Sequence, residues 1–185
     1  MRQVSSRSPT STLLTNRTLL IDDRLLVAHL LGAALDLPEH DSLITTSYWY
    51  YRACRAAVSG GSGKLSGPFR SLDAMRQGEA IAAMLRLPDN IGLPDPRLLV
   101  PEMVAIQRRH PQLNLLNIEA AAAARLLVGH VALSSPAAAG VLPAILEAER
   151  IEWVTLQTHS HDTRGGTGGH AQRTAGWSPF CLDPR

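Results

Sequence analysis

Short apolar runs alternate with stretches of helical period through the last third of this chain, and that alternation leaves few folds open. Ile118 to Val128 reads as a helix built on the run Ala120 to Ala124, Val131 to Leu133 as a buried strand, Ala144 to Glu149 as a helix and Ile151 to Leu156 as a strand. Strands separated by helices are joined by crossovers rather than hairpins, and such crossovers produce a parallel sheet between two helical layers. The expected fold is therefore α/β, a three-layer α/β/α sandwich with a mostly parallel sheet. Five consecutive alanines suit a helix that lies close against its neighbours.

The first two thirds carry the same pattern less regularly. Leu19, Leu20 and Ile21 form an apolar run that stops at Asp22 and Asp23, after which Leu25, Leu26, Leu30 and Leu31 repeat at helical spacing. Leu43 to Thr46 is β-prone, and Ser47 is the expected N-cap of a helix carrying Tyr48, Trp49, Tyr51, Arg52 and Cys54. Ser59 to Gly67 is a Gly/Ser-rich loop. Ser71 to Leu87 is expected to form an amphipathic helix with Leu72, Met75, Ile81, Met84 and Leu85 as its apolar positions, ended by Pro88. Ile91 to Leu93 is a brief strand, and Pro96 to Arg109 a helix that turns Leu99, Met103 and Ile106 inward.

Composition sets the boundaries. A chain of 185 residues with 45% apolar content supports one domain with a real core. We expect a flexible arm at 1–17, rich in Ser, Thr and Arg, an α/β domain at 18–156, and a disordered tail at 157–185 that lacks any apolar period. The arm has no secretory-signal pattern. The longest apolar stretch, Leu25 to Leu35, is broken by His29 and Gly32 and falls short of the roughly 20 residues that span a bilayer, so no membrane partner is expected. Only Cys54 and Cys181 are present, which favours a reducing cytoplasm, and a single lysine among many arginines points to a GC-rich bacterial genome. With arm and tail set aside, the body holds 12 bases and 14 acids. It is no basic nucleic-acid platform of the kind a high domain pI announces.

Three clusters carry possible chemistry. Gly60, Gly61, Ser62, Gly63 and Lys64 approach a phosphate-binding loop, but Val58 stands where the pattern needs Gly and Leu65 where it needs Ser or Thr; the segment also follows a helix, so it reads as a linker. His159, His161, Asp162 and His170 have metal-binding side chains in a glycine-rich setting, which makes at most an adventitious site. Asp22 and Asp23 sit where open parallel sheets bind ligands, outside the carboxyl end of a strand. A carboxylate there, gathered with others, could hold Mg²⁺ or Mn²⁺ for phosphodiester hydrolysis. The alternative is that Asp23 caps the following helix and Asp22 is a solvated turn residue.

Leu19-Leu20-Ile21-Asp22, the two middle helices and the strand and helix order from Leu115 to Leu156 resemble a PIN domain, the fold of VapC-type toxin ribonucleases. The resemblance implies a carboxylate after the first strand, here Asp22. It implies a Glu in the second region, where Tyr48 to Arg55 offers no acid, and an acid opening the helix before the fourth strand, where Asn117 and Glu119 stand. It implies a last acid or amide at the end of that strand, where this chain has Ser134 and Ser135. Two carboxylates, Asp22 and Glu119, make a poor cage for a hard divalent ion. The expected function is that of a catalytically degenerate PIN-like protein acting through a protein or nucleic-acid partner. The alternative is a Mg²⁺-dependent ribonuclease whose metal is held by Asp22 and Glu119, with Asn117 beside them and Glu102 as a possible third acid. A further alternative is an interaction module built on Tyr48, Trp49, Tyr50 and Tyr51, adjacent aromatics that cannot all face one core.

Overall fold

The computed structural model describes residues 17–59, 65–127 and 129–157. The glycine-rich segment Gly60 to Lys64, the histidines of the tail and nearly all of the arm lie outside them. Arg17 is tied to the body: its N–H donates to Asp41 Oδ2 (2.8 Å), and its guanidinium pairs with Glu39.

The strands are β1 (Thr18–Ile21), β2 (Ser42–Ile44), β3 (Ile91–Gly92), β4 (His130–Ser134) and β5 (Trp153–Leu156). All pair in parallel, in the order β3-β2-β1-β4-β5. The helices are α1 (Asp23–Leu30), α2 (Ser47–Val58), α3 (Gly67–Arg70), α4 (Ala74–Leu85), α5 (Pro96–Arg109), α6 (Leu115–Leu126), α7 (Ser135–Ala138) and α8 (Leu142–Ala148).

The pleat divides the core into two. Leu19, Ile21, Leu43 and Ala132 point to one face, where Leu25 and Leu26 of α1, Ala53 and Ala57 of α2 and Met84 of α4 cover them. Leu20, Ile44, Val131 and Leu133 point to the other, against Leu99 and Ile106 of α5, the α6 alanines and Leu142, Ile145 and Leu146 of α8. Because successive strand residues face opposite sides, unbroken apolar runs are what a strand covered on both faces requires. Ala120 to Ala124 are all buried. Five consecutive helical residues sweep more than a full turn, so this stretch of α6 is enclosed on every side, and only a methyl-sized side chain lets its neighbours approach that closely.

Pro96 to Arg109 coincides with the expected helix, and Pro101 within it is accommodated. Elsewhere local chemistry moved the boundaries. Thr46 rather than Ser47 caps α2, its Oγ1 accepting from Trp49 N at 3.1 Å. The expected helix from Ser71 starts only after Asp73, whose side chain caps α4. Met75 and Leu85, read as core positions, are exposed, while Met84 is fully buried.

Candidate functional site

β1 lies between β2 and β4, so the chain builds the sheet outward in one direction and then returns to the other side of β1. The crevice between the carboxyl ends of β1 and β4 is therefore the topological switch point, the place where open α/β sheets receive ligands. Asp22 and Asp23 follow β1 there, and Ser134 ends β4.

Asp22 is completely buried, and it, not Asp23, is the N-cap of α1. Its Oδ1 accepts from Arg24 N (3.0 Å) and Leu25 N (2.9 Å), its Oδ2 from Ser134 N (2.7 Å) and Ser134 Oγ (2.6 Å). The solvated turn residue considered from sequence is replaced by a staple that joins the first strand–helix turn to β4. The reason is topological: β4 returns beside β1 and brings two donors to the carboxylate.

Glu119 is also buried, in the first half of α6. Its carboxylate reaches the start of α2, accepting from Ser47 N (3.1 Å) and Tyr48 N (2.8 Å). An anion at this end offsets the helix dipole and satisfies amides that have no partner within the helix.

Asp23 is the carboxylate that lines an open cavity. The cavity measures about 220 Å³ and its walls include Asp23, Arg24, Trp49, Arg52, Asn117 and Ser134. Asp23 is 4% exposed, and its Oδ2 is itself fully buried. The Arg52 Nη1 lies 3.0 Å from that oxygen and pairs with it. Burial pushes the Asp23 carboxyl up to about 6, while Arg52 draws it back down.

Glu102 belongs elsewhere. Its Oε1 sits 2.9 Å from Arg125 Nε, near the far end of α6, in a cluster where Glu149 takes Arg109, His110 and Arg125 at 2.8–3.1 Å. Those donors hold the Glu149 carboxyl down at about 2. Glu119 and Arg125 are six residues apart on α6, roughly 9 Å along the axis. The structure therefore does not bring Glu102 to the Asp22 crevice.

This donor set does not fit a hard divalent cation. Each oxygen of Asp22 already receives two hydrogen bonds and the Glu119 carboxylate is engaged with two amides, whereas Mg²⁺ needs free oxygens in near-octahedral array. The neighbouring Asp23 carboxylate is ion-paired with the Arg52 guanidinium. Among the described residues no group of three or more His, Cys, Asp or Glu side chains is placed to hold a metal ion.

The rim of the cavity continues onto α2. Trp49 is buried and the Tyr50 hydroxyl accepts from Leu87 N, whereas Tyr48, Tyr51, Arg52 and Arg55 are exposed. Their spacing of three, four and seven residues puts two rings and two guanidinium groups on one helical face. That spacing is legible in the sequence, but the role of Arg52 and Arg55 is not, because a basic residue acquires meaning only beside a pocket.

No family model matches this chain, and no curated protein matches it. Among solved structures, VapBC-1 from nontypeable Haemophilus influenzae is similar at 11% identity over 75% of this chain and 97% of that one, with a TM-score of 0.43. No helix among the described residues is long and apolar enough to cross a membrane.

Proposed function

We propose that this chain is a PIN-like domain that has exchanged metal-dependent hydrolysis for binding, and that it takes single-stranded RNA across the carboxyl end of its sheet. The observation that carries the loss of hydrolysis is the fourfold hydrogen bonding of Asp22, which leaves the first acid of the family pattern with no oxygen to offer. The second acidic position is vacant, and the last is serine. The exposed face of α2 supports the binding half of the reading: Tyr48 and Tyr51 present π-faces, and Arg52 and Arg55 interleave positive charge among them. Aromatic stacking contributes about 1–3 kcal/mol per base and tolerates any sequence. With a body of slight negative charge, the phosphate contribution comes from these few arginines, so affinity should fall on salt addition with a shallow slope.

Fluorescence anisotropy of a labelled oligouridine strand tests this. Tyr51→Ala and Arg55→Ala should each weaken binding several-fold, and the strand should stay intact on incubation with Mg²⁺ or Mn²⁺. Binding that ignores both substitutions refutes the RNA reading. Cleavage that Asp22→Asn abolishes restores the ribonuclease reading, with the metal at Asp22 and Glu119.

A further inference from the structure

We infer that the outer edge of β5 is a self-association site, where the β5 strands of two copies of this chain pair antiparallel and join their sheets. β5 ends the sheet, with β4 on one side only. The Val131 N–H donates to the Glu152 carbonyl (3.0 Å), and this sets the phase of the ladder: Glu152, Val154 and Leu156 bond to β4, while Trp153 and Thr155 turn their N–H and C=O groups outward. Gln157 continues that parity. Among the described residues none donates to or accepts from these outward groups. Sheet edges are normally blunted, because such a row of groups is a template for another strand. β3, at the opposite edge, is two residues long and lies between Pro88 and Pro94. β5 has no such guard: it contains no charge and no proline, and its register with β4 is unbulged.

Register favours a second copy over an unrelated peptide. About a two-fold axis at Thr155, every outward residue meets another: Thr155 faces Thr155 of the second copy, and Trp153 faces Gln157 of the second copy and the reverse, each as a hydrogen-bonded pair. The alternate positions then set Val154 opposite Leu156 of the second copy. Both residues pack on the α1, α2 and α4 side of the sheet, so the match carries one apolar row across the junction without turning any side chain to the wrong face. No like charges meet on the axis, since Trp153 to Gln157 are all uncharged. A four-residue edge makes a small interface, so the association is weak and concentration-dependent.

Sedimentation velocity on the full chain, from micromolar to near-millimolar concentration, tests this without RNA and independently of the RNA reading. The wild type should shift from monomer to dimer. Thr155→Lys and Thr155→Glu change only an exposed side chain, and each sets like charges about 5 Å apart across the axis, so each alone should dimerise about fivefold or more weakly. An equimolar mixture of the two should recover the dimer, a rescue that a general loss of fold does not give. Thr155→Pro removes an outward N–H that β4 does not use and should abolish pairing, with circular dichroism checking the fold. A wild type that stays monomeric at every concentration overturns the inference, as does a dimer that both charged variants leave unchanged or a mixture no stronger than its parts.

Discussion

Replacing Asp22 by Asn changes one oxygen for an NH₂ in a site where four donors converge, and the outcome separates a structural staple from a metal ligand. The Asn oxygen can keep the two α1 amides, Arg24 N and Leu25 N. Its NH₂ then faces Ser134. The serine hydroxyl can rotate to accept from it, but the Ser134 N–H, now 2.7 Å from the substituted atom, cannot. The variant thus loses one charge-assisted hydrogen bond and leaves a buried amide opposed by another donor, for a total of about 2–4 kcal/mol. In a domain of this size roughly 4 °C accompanies each kcal/mol, so the melting temperature should fall by about 8–16 °C. Thermal melts followed by circular dichroism, with urea titrations as a second estimate, measure it. Ser134→Ala removes only the hydroxyl partner, and a double-mutant cycle with Asp22→Asn should return a coupling above about 0.5 kcal/mol. Were Asp22 instead one of a set of mutually repelling metal ligands, neutralising it would stabilise the metal-free protein. A melting temperature that holds or rises in Asp22→Asn, or a Mg²⁺-dependent stabilisation of the wild type that the variant lacks, refutes the staple.

Four further outcomes rest on the same geometry. Glu119→Gln keeps one acceptor for two α2 amides and removes the anion at that helix end, so urea denaturation should show a loss of about 1–2 kcal/mol. Asp23, raised to about 6 against an ordinary 3.8, binds its proton more tightly folded than unfolded, so its contribution to stability falls as pH rises from about 4 to 6 and stays low above. Asp23→Asn should flatten that part of the melting-temperature profile and raise stability at pH 7. Glu149, lowered to about 2, acts with the opposite sign: its contribution is present above the ordinary carboxylate range and lost as pH falls towards 2, a decline that Asp23→Asn should leave in place. Gly129→Ala would put a Cβ 2.6 Å from the Thr18 carbonyl oxygen, a backbone atom that cannot step aside, so equilibrium unfolding should show a destabilisation of about 1–3 kcal/mol.

Elements set by local chemistry were legible in the sequence. Pro96 at N1 and the Leu99/Ile106 spacing fix α5, and the continuous apolar runs of β1 and β4 signal strands covered on both faces. The four aromatics from Tyr48 to Tyr51 do split between core and solvent, as one helix face must. The short helices α3 and α7 escaped because four residues carry no period. Met75 and Leu85 misled because an apolar helix stripe does not say where its edges fall. The site was half legible. Residue types placed chemistry at Asp22, Asp23 and Glu119, but their roles depend on partners far along the chain: Ser134 for Asp22, the α2 amides for Glu119 and Arg52 for Asp23. Both aspartates lie at one turn, and only the returning strand decides which of them is consumed.

The central position of β1 has a consequence for synthesis. β1 emerges early and finds β2 soon after, but its other edge must wait for β4, and the Asp22–Ser134 contact spans 112 residues. At translation rates of about 5–20 residues per second, that interval is roughly 6–22 s, during which a nascent chain carries an unpaired hydrophobic edge and a half-satisfied carboxylate. Products truncated before β4 keep both defects permanently. They should therefore be prone to edge-to-edge association and quick to enter quality control, so that synthesis is effectively proofread by whether the last third of the chain arrives.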